Sequence, residues 1–87
     1  MYTYLVYLDI KPESVSLNKI CQLLNSYEGI RFQPFGWFVK TSDMPGTLCE
    51  ELSGLCDSED YFVMTPVDPN LYFRQPESVQ RWIRANI

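Results

Sequence analysis

The pattern of apolar and polar positions predicts a strand at the start of the chain. Tyr2–Ile10 is a nearly continuous apolar run, rich in β-branched and aromatic side chains, with Asp9 as its one charged residue. Such a run is typical of a strand that is covered on both faces. Pro12 then breaks the extended pattern, because proline fixes φ and has no N–H to donate. We therefore expect a central strand that ends at this turn.

Three later segments have the periodicity of helices. The first begins at Ser14 or Ser16, both suited to cap a helix, and Gly29 stands where the residue after its C-terminus is expected. Its apolar positions recur at i, i+3, i+4 and i+7, at Ile20, Leu23, Leu24 and Tyr27. The second begins near Asp43. Its leucines recur at i, i+4 and i+7, at Leu48, Leu52 and Leu55. The third spans Pro76–Ala85, and its apolar side contains Val79, Trp82 and Ile83.

The remaining apolar segments predict further strands and a fold class. Ile30–Phe35 and Gly36–Thr41 meet at a tight turn, and Tyr61–Val67 and the short Leu71–Phe73 follow later. The order strand, helix, strand, strand, helix, strand is that of the ferredoxin-like βαββαβ sandwich. In this α+β fold an antiparallel sheet carries both helices on one face. We expect a single domain over residues 1–87, with an additional short C-terminal helix and a second sheet face free of helices.

The size of the chain favours association with a second copy. Its 87 residues are 46% hydrophobic and 15% aromatic, which is enough for a packed core. A chain of this length nevertheless buries only about 60 to 65% of its unfolded surface. Because the first strand is apolar on both sides, an uncovered sheet face needs a cover, and a second copy is the simplest one. We expect a homodimer with an interface that contains Tyr2, Tyr4, Trp37 and Phe38.

Negative charge is concentrated in the middle of the chain. No basic residue lies between Lys40 and Arg74, where the acidic residues are Asp43, Glu50, Glu51, Asp57, Glu59, Asp60 and Asp68. Duplex nucleic acid is bound through clustered Lys and Arg, so a net charge of -4 argues against such a partner. The acidic residues are either a solvated helix face with its flanking turns or a docking surface for a basic protein. The residues predicted to bind that partner are Glu50, Glu51, Asp57, Glu59 and Asp60.

The cysteine and histidine content argues against a zinc site. Cys21, Cys49 and Cys56 have no CxxC spacing and the chain has no histidine, so we expect reduced thiols that fill the core. No charged segment followed by an apolar one opens the chain, and no apolar run approaches the length of a membrane span. We therefore expect a cytoplasmic protein without a cofactor and without membrane contact.

Four segments carry a resemblance to a known family. They are Tyr4–Ile10, Gly36–Thr41, Asp57–Val63 and Ser78–Ile83. In this order they resemble the first strand ending in Asp, the tryptophan-bearing third strand, the acidic turn into the fourth strand and the C-terminal tryptophan helix of one superfamily. It is the SinR-like branch of the small CRISPR-associated ferredoxin-like proteins, related to the VapD-type toxins. The resemblance implies a homodimer formed through the sheet.

Two roles are open for Asp9. The resemblance implies that the Asp9 carboxylates of two subunits hold a divalent ion at the dimer axis, as in members reported to be metal-dependent nucleases. A Mg²⁺ ion there would keep most of its waters and activate one for attack on a phosphodiester. Alternatively, Asp9 is a strand-end carboxylate that accepts hydrogen bonds from the Lys11–Ser14 turn.

Three functional hypotheses follow. The leading one is a small acidic homodimer that binds a protein partner and has no efficient catalytic site. The competing one is a metal-dependent endonuclease with Asp9 as its catalytic and metal-binding residue. The third is an RNA binder that stacks bases on Trp37 and Phe38, although the basic residues that usually surround such surfaces are missing from this sequence.

Overall fold

A computed structural model describes residues 1–87 as four strands and three helices. The elements are β1 (Tyr2–Asp9), α1 (Leu17–Ser26), β2 (Glu28–Gln33), β3 (Gly36–Thr41), α2 (Pro45–Leu55), β4 (Tyr61–Pro66) and α3 (Glu77–Asn86). The strands form one sheet in the order β2-β3-β1-β4, and every neighbouring pair is antiparallel. The predicted α+β class with an antiparallel sheet is confirmed.

The larger hydrophobic core lies between the sheet and the first two helices. Alternate side chains of β1 enter it, because successive residues of a strand point to opposite faces. In this core they pack against leucine and isoleucine side chains of the predicted apolar stripes of α1 and α2. The buried members of this core are Tyr4, Val6, Leu8, Ile10, Ile20, Leu24, Trp37, Val39, Leu48 and Leu52.

Helix α3 covers part of the opposite sheet face. Val79 and Ile83 are four residues apart on one side of α3, and they pack with Phe38 in a second core where the three are 6%, 3% and 4% exposed. Leu5 of β1 and Ile30 of β2 pack against the same cluster. The expectation of a second face free of helices was therefore wrong, because the apolar side of the C-terminal helix folds back onto it.

The β1–β4 part of that face stays uncovered. Tyr7 of β1 lies opposite Val63 of β4, and Asp9 lies opposite Tyr61. Tyr7, Tyr61 and Val63 are 49%, 62% and 69% exposed. The open sheet face is thus reduced to a strip along β4, which is an edge strand of the sheet.

Gly29 has a different role from the predicted one. Helix α1 ends at Ser26, and Gly29 lies inside β2, paired with Val39. A Cβ atom at position 29 would lie 2.1 Å from the carbonyl oxygen of Phe38. Only glycine fits this close approach of two backbones.

The predicted short strand Leu71–Phe73 does not form. This segment has no regular secondary structure; the Leu71 N–H donates to the Asp68 carbonyl oxygen (3.0 Å), and the Leu71 side chain packs against the second core. Tyr72 beside it is 97% exposed. None of the three helices has the length and apolar character that crossing a bilayer requires.

Candidate functional site: acidic loops beside an open sheet edge

Asp9 lies exposed at the end of β1. It lines a shallow cavity of about 320 Å³ together with Lys11, Glu59 and Tyr61. The turn that follows is closed by the Ser14 N–H, which donates to the Lys11 carbonyl oxygen (3.0 Å), and not by the Asp9 carboxylate. No three Asp, Glu or Cys side chains come together in an arrangement that could hold a metal ion.

A second, more acidic cavity lies between the β1–α1 loop and the α2–β4 turn. Its volume is about 360 Å³, and its lining residues are Lys11, Glu13, Ser14, Val15, Asp57, Ser58, Glu59 and Asp60. Four of these are acidic and one is basic. The Lys11 Nζ is 4.0 Å from the Glu59 Oε2, and both side chains are more than two-thirds exposed, so water screens this ion pair. We call this the acidic cavity.

A cluster of two serines and two aspartates joins the two loops of the acidic cavity. The Ser16 hydroxyl is buried and lies within hydrogen-bonding distance of Asp60 Oδ2 (2.6 Å) and Asp57 Oδ2 (2.9 Å). The Asp57 N–H donates to Asp60 Oδ2 (2.8 Å), and the Ser14 hydroxyl donates to Asp60 Oδ1 (3.2 Å). We call Ser14, Ser16, Asp57 and Asp60 the Ser–Asp cluster. Ser16 precedes α1 as predicted, but its hydroxyl binds these carboxylates instead of capping the helix.

The hydrogen bonds of the Ser–Asp cluster keep Asp60 ionised. Donation by the Ser16 hydroxyl, followed by the Asp57 N–H, lowers the pKa of Asp60 below its ordinary value of 3.8. Two of the five residues predicted to bind a partner, Asp57 and Asp60, therefore hold the two loops together.

The two glutamates on α2 differ in their surroundings. Both are exposed, but only the Glu51 Oε2 accepts a hydrogen bond, from the Tyr27 hydroxyl (3.1 Å). Burial, together with the negative charge of Glu51 and Asp43, raises the pKa of Tyr27 to about 12, so this hydroxyl remains a donor at neutral pH. Glu50, Glu51 and Glu59 are all exposed, and of these Glu51 also accepts a hydrogen bond within the chain.

Three of the four side chains predicted at a dimer interface are buried inside the chain itself. Tyr4, Trp37 and Phe38 are 0%, 1% and 4% exposed, whereas Tyr2 is 44% exposed. The Tyr4 hydroxyl donates to the Asp43 carbonyl oxygen (2.9 Å). The Trp37 Nε1–H donates to Asn25 Oδ1 (3.0 Å). Trp37 and Phe38 are thus not accessible to a second copy or to RNA bases.

The cysteines are free and half-buried, at positions Cys21, Cys49 and Cys56. Burial raises the pKa of the Cys56 thiol, and the negative charges of Asp60 and Asp57 raise it further. Cys56 is therefore a protonated thiol at neutral pH, which is a poor nucleophile.

The open backbone edge of β4 is a feature that the sequence analysis missed. The Val67 N–H donates to the Thr3 carbonyl oxygen of β1 (2.9 Å). Along an antiparallel strand, the backbone N–H and C=O groups of one residue point to the neighbouring strand and those of the next residue point away from it. Counting back from Val67, the residues that direct their backbone groups to the open edge are Phe62, Met64 and Pro66. The available signal was an uncharged run that has acidic residues on both sides and ends in proline.

No protein-family model matches the sequence, and comparison with curated proteins finds no match.

Proposed function

We propose that this protein is a small acidic interaction module that binds a basic protein partner and has no efficient catalytic site. The main observation in support is the acidic cavity, which is lined by four acidic side chains and by one basic side chain, Lys11. The acidic ones are Glu13, Asp57, Glu59 and Asp60. Opposite charge on a partner would speed the encounter and fix the orientation of the complex.

The Ser–Asp cluster supports this proposal. It fixes the β1–α1 loop against the α2–β4 turn, so that Glu13 and Glu59 are carried by loops that are already ordered. Binding to ordered loops costs less conformational entropy than binding to loops that must first be fixed.

We further propose that the fold is the ferredoxin-like split βαβ arrangement and that the chain is related to the SinR-like branch. The central position of β1 and β3, with β2 and β4 at the edges and antiparallel pairing throughout, supports this assignment. Helix α3 would then be an addition to the basic fold. A homodimer is also part of the proposal.

Selection of peptides tests the interaction. Random peptides displayed on phage and selected on the immobilised protein should become enriched in Lys and Arg, and their affinity should fall as salt is added. Glu13→Lys and Glu59→Lys should each weaken a selected peptide about tenfold, because an attractive charge becomes a repulsive one. Glu77→Lys is the matched control, since Glu77 is an exposed glutamate on α3, outside the acidic cavity. Selected peptides without basic residues, or equal affinity for all three variants, would contradict the proposal.

One observation favours a second candidate, the metal-dependent endonuclease. Asp9 is exposed at the end of the central strand and lines a shallow cavity of about 320 Å³, so its carboxylate is accessible from solvent. The test is incubation with single- and double-stranded RNA and DNA in the presence of Mg²⁺ or Mn²⁺. Cutting that Asp9→Ala abolishes would establish the endonuclease in place of the non-catalytic module, and the absence of such cutting would remove it.

A further inference from the structure

We propose that the partner binds as an extended strand added to the open edge of β4, through a segment with an apolar centre and a basic residue at each end. This inference rests on the proposed function, because it specifies how a basic partner is held. Strand addition takes its affinity from backbone hydrogen bonds and its specificity from alternate side chains.

The backbone of β4 is available for such pairing. The N–H groups of Phe62 and Met64 point away from β1, because these residues alternate with the ones whose backbone groups hydrogen-bond to β1. Pro66 occupies the third outward position and has no N–H, so the edge ends there. Charged side chains usually protect an edge strand against pairing with another strand, and the six residues of β4 include none.

The other edge of the sheet is protected. Strand β2 includes Glu28 and Arg31, and its pairing with β3 is irregular between Arg31 and Gln33. Charged side chains and bulges on an edge strand oppose the addition of another strand. Strand β4 is therefore the edge that accepts a partner.

Exposed side chains beside this edge form the apolar part of the surface. Tyr61 and Val63 of β4 and Tyr7 of β1 share one face and are about half or more exposed. The side chains of an added strand that point to this face would pack against Tyr61 and Val63 of β4, and Tyr7 of β1 lies one strand further in, behind Val63.

Carboxylates lie at both ends of the strip. Near Tyr61, Asp9 and Glu59 line one cavity together with Lys11. At the other end, Asp68 lines a cavity of about 250 Å³ with the apolar Leu5 and Leu71, among others. Three carboxylates and one lysine at the ends of an uncharged strand are complementary to a segment with basic ends.

The same charges select a basic segment over a second copy of the chain. Two β4 strands paired antiparallel about a twofold axis would place the Asp9 and Glu59 end of one chain beside the Asp68 end of the other. Juxtaposed like charges oppose such pairing. A strand with lysine or arginine at both ends is instead attracted at each end by the carboxylates there.

Amide exchange measured by NMR tests the mode of binding. The probe is a synthetic peptide in which valine and threonine alternate and two lysines stand at each end. Its addition should slow hydrogen exchange at the amides of Phe62 and Met64 and leave the Arg31 amide on β2 unchanged. A peptide of the same centre with glutamates at its ends should bind about tenfold more weakly, because attraction becomes repulsion. Equal binding of the two peptides would overturn the charge assignment.

A pair of variants at one position isolates the backbone hydrogen bond. Met64→Pro removes an outward N–H as well as the side chain, whereas Met64→Ala removes the side chain alone. Proline is tolerated at such an outward position, as Pro66 illustrates. Met64→Pro should bind the lysine-ended peptide about fivefold more weakly than Met64→Ala. Circular dichroism checks that both variants fold; if Met64→Pro does not, the exchange measurement on the natural chain decides.

The outcomes separate this inference from the proposed function. If basic peptides bind and Glu59→Lys weakens them, but the Phe62 and Met64 amides stay unprotected, the interaction module stands and strand addition is overturned. If no basic peptide binds, both fail. If the two amides become protected in the free protein as its concentration rises, a second copy occupies the edge and the basic segment is ruled out.

Discussion

At position 29 the chain requires a residue without a side chain. A Cβ atom there would lie 2.1 Å from the Phe38 carbonyl oxygen, and the obstacle is backbone that cannot rotate away. We predict that Gly29→Ala lowers the free energy of unfolding by about 2 kcal/mol or more, because β2 and β3 must separate to admit the methyl group. Urea denaturation of the purified variant measures this change.

Gly54 supplies the matched control. A Cβ atom at position 54, in α2, would have no atom within 4 Å. Gly54→Ala should raise the free energy of unfolding by about 0.5 to 1 kcal/mol, because alanine loses less conformational freedom than glycine in a helix. Equal effects of the two substitutions would refute the close approach at Gly29.

The Ser–Asp cluster makes stability depend on pH. The pKa of Asp60 is lower in the folded protein than its ordinary value of 3.8, chiefly because the Ser16 hydroxyl donates to the carboxylate. The resulting stabilisation is fully present above the unfolded-state pKa and is lost as the pH falls through the lower folded pKa. We predict that Ser16→Ala lowers stability at pH 7 and reduces the loss of stability between pH 7 and strongly acidic conditions.

Urea denaturation at a series of pH values measures both effects. Ser58→Ala is the control, because Ser58 lies exposed in the same turn. If Ser16→Ala and the natural chain lose stability in parallel on acidification, the hydrogen bond to Asp60 does not set its pKa.

Among the elements, α3 accounts for most of the difference between the expected and the observed fold. Its apolar side was predicted from the spacing of Val79, Trp82 and Ile83, and its bounds differ from the prediction by one residue at each end. The sequence does not predict which surface this side packs against, because an apolar helix side can pack equally well on its own sheet or on a second chain. The structure packs it against Phe38 and β2 of its own chain.

Removing a buried side chain from α3 tests this packing. Ile83 is 3% exposed, and Ile83→Ala should lower the free energy of unfolding by about 2 to 4 kcal/mol, because it leaves a cavity in the second core. The neighbouring Arg84 is exposed, and Arg84→Ala should change stability by less than about 0.5 kcal/mol. Thermal denaturation compares the two. An Ile83→Ala variant as stable as Arg84→Ala would mean that α3 is not docked on the sheet.

The boundaries of the other elements show where local patterns suffice. The predicted β3 segment, Gly36–Thr41, is identical to the strand in the structure, because its turn and its apolar pattern both lie in the local sequence. The predicted strand Leu71–Phe73 failed, because Leu71 packs into the second core without joining the sheet. Short apolar runs do not reveal whether a neighbouring strand is available.

For the whole molecule, the homodimer remains a prediction. Helix α3 and the first core bury Tyr4, Trp37 and Phe38, so Tyr2 is the accessible member of the predicted interface set. Two further exposed apolar side chains are Met1 (77% exposed), which precedes Tyr2 in the chain, and Met44 (59% exposed). The Tyr2 hydroxyl contacts the Met44 sulfur (3.4 Å). A dimer that uses Tyr2 would therefore bury this corner.

Sedimentation at micromolar concentration tests the dimer. We predict a species of twice the 10.2 kDa chain mass, which Tyr2→Lys shifts toward the single chain because it places a charge in an apolar contact. Tyr72→Lys is the control, since Tyr72 is 97% exposed on a different loop. A single-chain species at every concentration would exclude the dimer.

The sequence alone determined the elements that depend on neighbouring residues: the apolar first strand, the leucine stripes, the turn before Gly36 and the acidic middle of the chain. Tertiary structure decided what depends on distant residues. Ser16 meets Asp60 across 44 positions, Gly29 meets the Phe38 backbone, and β4 becomes an edge only through the order of the strands. Periodicity reports which side of an element is apolar, but the partner of that side is selected by packing the whole chain.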